Sequence, residues 1–294
     1  MLESTPTAVL FPGQGSQQPR MRELVAAVRP DLVRQVTPLV GEDPFARVDE
    51  STRFAQPAIF CASLAGWGRV RDHVAPVAFA GHSLGELTAL VAAGALDERD
   101  GLRLVVLRGL LMSISGEDAG GGKMLAVLGA TPAQAAAIAA RNDVSVANDN
   151  APGQVVLSGS PAALAAARGD AGREGLRTTA LDVAGAFHSP QMQDAVIPFR
   201  EALAEMQFGE PSVPVFSCAT GQPFVDPREE LAAALVRPVR WRETMTALAE
   251  HGVQSFVDAG PGRVLAKLAP RCVPGAGAAS LDMLLGDLED RRAA

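Results

Sequence analysis

The sequence predicts a mixed α/β fold built on a mostly parallel sheet, with a smaller antiparallel unit inserted in the chain. Two observations carry this prediction. Short apolar segments alternate with helical ones through the first third of the chain and again after residue 190, which is typical of parallel sheets. Between these parts, residues 124–183 follow the order β-α-β-β-α-β of a ferredoxin-like unit. We expect a large subdomain from residues 1–122 and 188–294, and a small one from residues 123–187.

The elements of the large subdomain are predicted from apolar segments that end at turn or capping residues. Asp97, for example, can cap a helix whose first turn is acidic. Residues 116–123 contain three consecutive glycines and read as a linker. The Gly/Ala-rich tail after Pro274 is expected to be loosely held. The predicted strands are 8–11, 76–80, 213–217 and 255–258, and the predicted helices are 57–70, 84–95, 98–113, 190–206 and 242–251.

The small subdomain contains two Ala-rich helices, each opened by a Ser-Pro or Thr-Pro pair. Proline is well tolerated in the first turn of a helix, where its missing N–H would have no partner in any case. The helices are therefore predicted to begin at Thr131 and Ser160. The predicted strands are 124–128, 144–147, 154–158 and 177–183.

Composition limits the classes of function. The net charge of −7 argues against nucleic-acid binding, which needs a basic surface. No apolar run approaches the roughly 20 residues of a membrane span, and no signal-peptide pattern opens the chain, so we expect a cytoplasmic protein. Cys61, Cys218 and Cys272 lack metal-ligand spacing and are expected to be reduced packing residues, without a metal site.

The strongest local signal is the segment Gly81-His82-Ser83-Leu84-Gly85 between a predicted strand and a predicted helix. This is the G-x-S-x-G nucleophile elbow in the strand-turn-helix context that it requires. At the start of a helix, backbone N–H groups favour negative charge. We predict Ser83 as a nucleophile and the N–H of Leu84 as an oxyanion donor; the alternative is a purely structural turn.

The base that activates Ser83 must be one of four histidines. His82 would point away from Ser83 on so sharp a turn, and is expected to support the elbow. His73 and His251 lie in charged segments that should be exposed. His188 follows an apolar strand in a loop, a usual place for a catalytic residue. We therefore predict His188 as the base, the alternative being a capping or packing histidine.

A third group should hold the histidine in its reactive tautomer. Asp182 and Asp258 are the nearest acidic candidates in the sequence, and neither stands out. A backbone carbonyl could serve instead.

Arg108 is the most informative single residue. A helical wheel over residues 98–113 places Arg108 in the middle of the apolar arc, where an unpaired guanidinium is costly. Its partner is either a structural carboxylate or the carboxylate of a substrate held in a bidentate pair. The arc is formed by Leu104, Val105, Leu111 and Met112.

The loop Gly13-Gln14-Gly15 follows the first strand at the sheet edge where the elbow should open. It can supply a second backbone N–H to the oxyanion. It lacks the Lys-Ser/Thr ending of a phosphate-binding loop, which excludes nucleotide hydrolysis.

Taken together, these segments resemble the malonyl-CoA:acyl carrier protein transacylase family, which includes the acyltransferase domains of polyketide synthases. The similarity runs from about Ala8 to Leu268. Its markers are the segments 11–17 (FPGQGSQ), 81–86 (GHSLGE), 108–109 (RG), 148–159 (NDNAPGQVVLSG), 186–189 (AFHS) and 258–262 (DAGPG).

The resemblance implies an α/β-hydrolase-like large part with a ferredoxin-like insert. It implies that Ser83 is acylated from malonyl-CoA, with His188 as base and then acid, and that Arg108 binds the malonyl carboxylate. The backbone N–H groups of Gln14 and Leu84 would bind the oxyanion. The phosphopantetheine thiol of an acyl carrier protein would then accept the acyl group, and no cofactor would be permanently bound.

Two positions bear on specificity and on a departure from the family. Phe187 resembles the malonyl-selective version of its loop, since a bulky side chain leaves little room for a 2-methyl branch. One methyl group is worth only about 1–3 kcal/mol of discrimination. The family commonly has Gln where this chain has Ala234, which leaves only a main-chain carbonyl there to hold His188.

Other readings remain open on the sequence. A malonyltransferase subunit of malonate decarboxylase, or a stand-alone acyltransferase serving a polyketide synthase, would differ in acceptor rather than in site chemistry. A serine esterase or thioesterase would explain Ser83 and His188, but not Arg108. A catalytically silent scaffold would require none of the three.

Overall fold

The computed structural model describes residues 5–118, 120–183 and 185–293, the last six of them as backbone only. It contains a parallel and a separate antiparallel sheet, which confirms the predicted fold class. The parallel sheet consists, in spatial order, of β7 (Val215–Phe216), β2 (Pro76–Gly81), β1 (Thr7–Phe11), β8 (Ser255–Asp258) and β9 (Gly277–Ser280). The antiparallel sheet consists, in spatial order, of β4 (Ser145–Ala151), β5 (Gln154–Gly159), β3 (Lys123–Leu128) and β6 (Arg177–Leu181).

Helices surround both sheets. Two of them, Pro132–Arg141 and Pro161–Arg173, pack on the antiparallel sheet through a core that includes Ile138, Leu164 and Leu125. They complete the predicted β-α-β-β-α-β unit. The helices of the described residues are α1 (Met21–Val28), α2 (Pro30–Val40), α3 (Thr52–Val70), α4 (Gly85–Ala92), α5 (Glu98–Asp118), α6 (Pro132–Arg141), α7 (Pro161–Arg173), α8 (Gln193–Ala204), α9 (Pro227–Ala234), α10 (Trp241–Glu250), α11 (Val264–Cys272) and α12 (Leu281–Ala293).

The central strands of the parallel sheet position the functional edge. β1 pairs in parallel with β2 on one side and β8 on the other, and all five of its residues are buried. Because parallel strands end at the same edge, the turn after β1 and the elbow after β2 open side by side. This edge is the usual place for a ligand in an open α/β sheet.

The helix predicted at 57–70 begins earlier, at Thr52, so Pro57 lies inside it. Ser51 caps the helix by accepting a hydrogen bond from the N–H of Arg53. A proline near the N-terminal end removes only one backbone hydrogen bond. Burial of most of α3 outweighs that loss, and the proline is therefore a poor guide to where the helix starts.

The prediction of a loosely held tail after Pro274 is wrong. β9 adds a parallel strand to the edge of the sheet beside β8, and α12 follows with Leu281 and Leu284 buried. The small residues that suggested a loose segment allow close packing here. A Cβ on Gly277 would lie 3.1 Å from Ser255 Oγ, so glycine suits the approach of the two strands.

Other differences concern boundaries. α5 continues past its predicted end to Asp118, into the first part of the predicted linker. Beyond it, Gly120 and Gly121 have φ of +77° and +74°, and Ala119 lies outside the described residues. The domain boundaries at 122/123 and 187/188 stay a prediction. Within the described ranges, no helix is long and apolar enough to cross a membrane. Helices α1, α2, α9 and α11 were not predicted.

Candidate active site

Ser83 lies on a sharp turn between β2 and α4, as the elbow motif predicts. Its φ of +56° is in the left-handed region, which is unfavourable for a residue with a side chain. A Cβ on Gly81 would lie 1.9 Å from the carbonyl carbon of Gly85, and one on Gly85 would lie 2.0 Å from Phe11 O. Gly81 is therefore needed for the turn to close on itself, and Gly85 for the turn to pack against the end of β1.

Ser83 Oγ lies 2.8 Å from His188 Nε2. His188 also has a φ of +56°, and its side chain is buried. Burial, reinforced by the nearby charge of Arg108, lowers the pKa of His188 to about 3. The imidazole is therefore neutral near pH 7 and can accept the serine proton.

Two main-chain carbonyls hold the imidazole. His188 Nδ1 lies 2.9 Å from Ala234 O and 3.0 Å from Arg237 O, and both contacts require the proton to be on Nδ1. Nε2 is then the acceptor that faces Ser83. Asp258 does not bond to His188. Its carboxylate instead accepts N–H groups from a loop and from the first turn of α11. The carbonyl alternative is thus the arrangement in this structure, and Ala234 provides it without a Gln side chain.

The low pKa of His188 predicts a flat pH profile. Because the imidazole stays neutral at pH values well below the ordinary histidine pKa, the rate of Ser83 acylation should be constant from about pH 5 to 8. Burial raises the pKa of Glu86 to about 7, so the profile is best measured in Glu86→Gln beside the unchanged protein. The amide oxygen of that variant can still accept the N–H of Cys218. An inflection near 6.5 in Glu86→Gln would contradict the assignment of a neutral buried base.

Arg108 reaches the same serine from α5. Its Nη2 donates to Ser83 Oγ at 3.1 Å, and its Nη1 donates to Gln56 Oε1 at 2.7 Å. The residue is only 4% exposed, yet among the described residues no carboxylate lies within ion-pair distance of it. Burial lowers its pKa to about 10, so it remains charged at neutral pH. The sequence left open a structural carboxylate as the partner of Arg108. The charge of Glu86 opposes the fall in the pKa of Arg108, but Glu86 forms no ion pair or hydrogen bond with it.

The Gly-rich turn after β1 packs directly on the elbow. A Cβ on Gly13 would lie 2.6 Å from His82 O, so only glycine allows this approach. Gln14 and Leu84 both line the cavity above Ser83. Neither backbone N–H donates a hydrogen bond to another described residue, as an oxyanion donor requires.

His82 supports the elbow rather than the chemistry. Its Nε2 lies 2.8 Å from Asn150 Oδ1 and its ring lies beside Trp241, so it faces away from the Ser83 hydroxyl, as predicted. Burial lowers its pKa. His82 and Asn150 join the large sheet to β4 of the antiparallel sheet. His73 and His251 lie outside the cavity, as expected from their charged surroundings.

One cavity brings together all six predicted site residues. Phe187 completes the set, buried beside His188, with its ring packed over Gly185. Sequence reasoning missed several other lining residues, although Gln56 could have been noticed as a polar residue on an apolar helix. The missed residues include Gln56, Met112, Met124, Asn148, Asn150 and Val156. Among the residues that the structure describes, no group of three His, Cys, Asp or Glu side chains could hold a metal ion.

With this geometry established, comparison with known proteins is informative. The sequence model of the acyl transferase domain matches residues 9–289. The chain belongs to the acyl transferase domain family. The match includes strands of both sheets and all six predicted site residues.

Relatives of this acyl transferase occur alone and within larger proteins. The polyketide biosynthesis protein ThaF of Burkholderia thailandensis is 39% identical over 282 residues, which cover 91% of this chain and 24% of ThaF. The chain thus spans about a quarter of that relative. The polyketide biosynthesis malonyl CoA-acyl carrier protein transacylase BaeC of Bacillus velezensis is 36% identical over 281 residues, which cover 89% of this chain and 95% of BaeC.

Solved structures agree with the family. Malonyl-CoA:acyl carrier protein transacylase (FabD) from Xanthomonas oryzae pv. oryzae has a TM-score of 0.89 and 34% identity, covering 99% of both chains. The malonyl-transacylase PlMCAT, solved in complex with the type II PKS acyl-carrier protein AntF, has a TM-score of 0.88 and 32% identity, covering 97% of this chain and all of that one. The acyl transferase is therefore an enzyme with the fold of these transacylases.

Proposed function

We propose that this acyl transferase moves a malonyl group from malonyl-CoA, through an ester on Ser83, to the phosphopantetheine thiol of an acyl carrier protein. One observation carries the proposal: Ser83 Oγ contacts both a neutral histidine at 2.8 Å and a buried, unpaired guanidinium at 3.1 Å. The first makes a nucleophile, and the second selects an acyl group that ends in a carboxylate. Relatives named as malonyl CoA-acyl carrier protein transacylases support both the donor and the acceptor.

Acylation begins when Ser83 Oγ attacks the thioester carbonyl carbon and gives its proton to His188 Nε2. The negative charge that forms on the carbonyl oxygen is stabilised by the N–H groups of Gln14 and Leu84. The intermediate collapses as the carbon–sulfur bond breaks, and His188 returns the proton to the departing CoA thiolate. The carbonyls of Ala234 and Arg237 keep Nδ1 protonated throughout, and stabilise the imidazolium that forms in between.

Transfer to the carrier runs through the same groups in reverse. The phosphopantetheine thiol gives its proton to His188, and the thiolate attacks the ester carbonyl. The bond from the acyl carbon to Ser83 Oγ breaks, and the serine takes back the proton. Each half-reaction conserves charge and protons, so the mechanism needs no resident cofactor and malonyl-CoA enters only as a substrate.

Arg108 gives the site its substrate class. The guanidinium is held in place by Gln56, which is itself anchored by Thr52 through a bond of 2.8 Å from Gln56 Nε2 to Oγ1. A planar guanidinium can bind a carboxylate through two parallel hydrogen bonds. The malonyl carboxylate would supply the counter-charge that no described side chain provides directly. A simple esterase has no need of this buried cation.

Phe187 is proposed to set the preference for an unbranched acyl group. Phe187→Ala should raise the ratio of kcat/KM for methylmalonyl-CoA over malonyl-CoA by roughly 10-fold, because removing the ring makes room for one methyl group. Competition between the two thioesters for one carrier protein, followed by mass spectrometry of the carrier, measures the ratio. The control is Phe199→Leu, because Phe199 is a buried aromatic residue on α8 that does not line the cavity. An unchanged ratio in Phe187→Ala would remove Phe187 from the specificity site.

Partners and place follow from the same chemistry. The acyl carrier protein and malonyl-CoA are the proposed partners, with no role for nucleic acid, and the cytoplasm is the proposed location, where both occur. The proposed pathway is fatty acid or polyketide synthesis; BaeC is named as a polyketide biosynthesis protein, and AntF as a type II PKS acyl-carrier protein.

The proposal is tested by supplying malonyl-CoA with and without a phosphopantetheine-bearing acyl carrier protein. The expected product is malonyl-carrier, with free malonate forming far more slowly in either reaction. Malonate released at the same rate with or without the carrier would instead indicate a thioesterase. If the enzyme loads acetyl and malonyl groups onto the carrier at equal rates, Arg108 does not select the substrate.

A further inference from the structure

Cys218 lies directly behind the nucleophile and was predicted only to fill space. Its Sγ accepts a hydrogen bond from the backbone N–H of Ser83 at 3.3 Å, although the two residues are 135 positions apart. The residue follows β7 at the edge of the parallel sheet and is 1% exposed. Burial raises the pKa of its thiol well above the ordinary value, so the group is a neutral S–H.

The main chain of Cys218 is tied to both sides of the site. Its N–H donates to Glu86 Oε1 at 2.7 Å, and Glu86 is in the first turn of α4, directly after the elbow. Its carbonyl accepts the N–H of Arg240 at 2.6 Å, just before α10. The short segment that ends at Arg240 also provides the carbonyls of Ala234 and Arg237 that hold His188.

The thiol also interacts with Glu86. Hydrogen bonding between the Cys218 side chain and the Glu86 carboxyl opposes the rise in the pKa of Glu86 that burial causes. The sulfur accepts the Ser83 N–H, and the backbone N–H of Cys218 donates to Glu86 Oε1. A thiol or a hydroxyl can act in both directions at once, whereas a methyl group can do neither.

The conformation of Ser83 explains why its N–H needs an acceptor. With φ at +56°, the serine lies in a strained turn, and its N–H donates to Cys218 Sγ rather than to a main-chain carbonyl of the described residues. A buried N–H without a partner costs free energy comparable to a lost hydrogen bond, in addition to the strain. The acceptor therefore favours the one backbone conformation that directs Oγ toward His188 and Arg108.

We propose that Cys218 is a positioning residue for the transfer reaction: its thiol holds the Ser83 backbone in the strained conformation, while its main chain links the elbow to the segment that holds His188. This inference rests on the proposed function, since it concerns the efficiency of Ser83 as the nucleophile. Cys218 touches no reacting atom and acts through Ser83.

Two matched pairs of variants test the proposal. In the first pair, Cys218→Ser has a hydroxyl that Cys218→Ala lacks. In the second pair, Cys218→Thr has a hydroxyl where the nearly isosteric Cys218→Val has a methyl group. The second pair tests the proposal if the first pair does not fold. Cys61→Ala is the control, because Cys61 is an equally buried thiol on α3 away from the cavity. The measurement is the single-turnover rate of acylation by malonyl-CoA, followed by intact mass over a range of concentrations, with thermal unfolding beside it.

Cys218→Ala should lower the maximal acylation rate roughly 10-fold and change the half-saturating malonyl-CoA concentration less than about 2-fold. Cys218→Ser should recover to within about 3-fold of the unchanged protein, and Thr should exceed Val in the same way. Cys61→Ala should acylate normally. A Cys218→Ala protein that acylates at the normal rate, or a Ser variant as slow as Ala, would overturn the positioning role.

A substrate-independent probe separates this inference from the proposed function. A fluorophosphonate reacts with activated serines whatever acyl group the enzyme uses, so the variants should follow the same order of reactivity with it. If the unchanged protein forms no malonyl ester but the fluorophosphonate rates fall in the predicted order, the positioning role stands and the proposed substrate is wrong. Equal fluorophosphonate rates in the Ala and Ser variants would contradict the positioning role.

Discussion

Replacing Arg108 by alanine is expected to lower kcat/KM for malonyl-CoA by about 10³-fold. The buried guanidinium is the one Arg or Lys side chain among the described residues of the cavity, so it would be the counter-charge to the malonyl carboxylate. Leaving one partner of such a pair unmatched costs roughly 3–5 kcal/mol. Transfer of an acetyl group, which has no carboxylate, should fall much less. Steady-state rates with the two CoA thioesters and one acyl carrier protein measure the difference.

Arg108→Lys provides the matched control for charge. Lysine keeps the positive charge but lacks the planar fork, so malonyl transfer should be intermediate between those of the arginine and alanine proteins. Thermal unfolding of each variant shows whether the fold survives, which we expect because removing a buried charge also removes its desolvation cost. Equal losses for malonyl-CoA and acetyl-CoA in Arg108→Ala would mean that Arg108 positions Ser83 and does not bind the substrate.

Replacing Ser83 by alanine should abolish transfer, with a fall in kcat of at least about 10⁴-fold. Among the described residues that line the cavity, Ser83 alone carries a hydroxyl or thiol, and the Cys218 thiol behind it is neutral and bonded to the elbow. Ser83→Cys keeps a nucleophile at the same position and should retain more activity than Ser83→Ala. A Ser83→Ala protein that transfers malonyl groups at a rate close to normal would require direct attack by the carrier thiol.

The site residues whose positions could be predicted from the sequence are those that depend on local patterns. The elbow is a five-residue motif in which Gly81 allows the turn to close on itself and Gly85 allows it to approach β1, as a sharp turn from a strand into a helix requires. Arg108 could be placed because a helical wheel shows which side of α5 is buried. His188 was chosen by elimination among four histidines and by its place in a loop after a strand, and the structure places its Nε2 2.8 Å from Ser83 Oγ.

The parts that were missed depend on contacts between distant segments. Gln56 holds Arg108 across 52 positions, and Cys218 accepts the Ser83 N–H across 135. Neither residue belongs to a recognisable local motif, so only the packing of α3 against α5 and of β7 beside β2 reveals their roles. Likewise, the small residues of the C-terminal segment suggested a loose tail, although they suit an edge strand packed beside Ser255.

The central claim, that malonyl groups pass through an ester on Ser83, is tested most directly by trapping that ester. The protein is mixed with malonyl-CoA without a carrier and its intact mass is measured, followed by peptide mapping. The account predicts one added malonyl group on the peptide that contains Ser83, lost when a phosphopantetheine thiol is added and absent from Ser83→Ala. A folded protein that gains no malonyl group, or that gains one equally in Ser83→Ala, would contradict it.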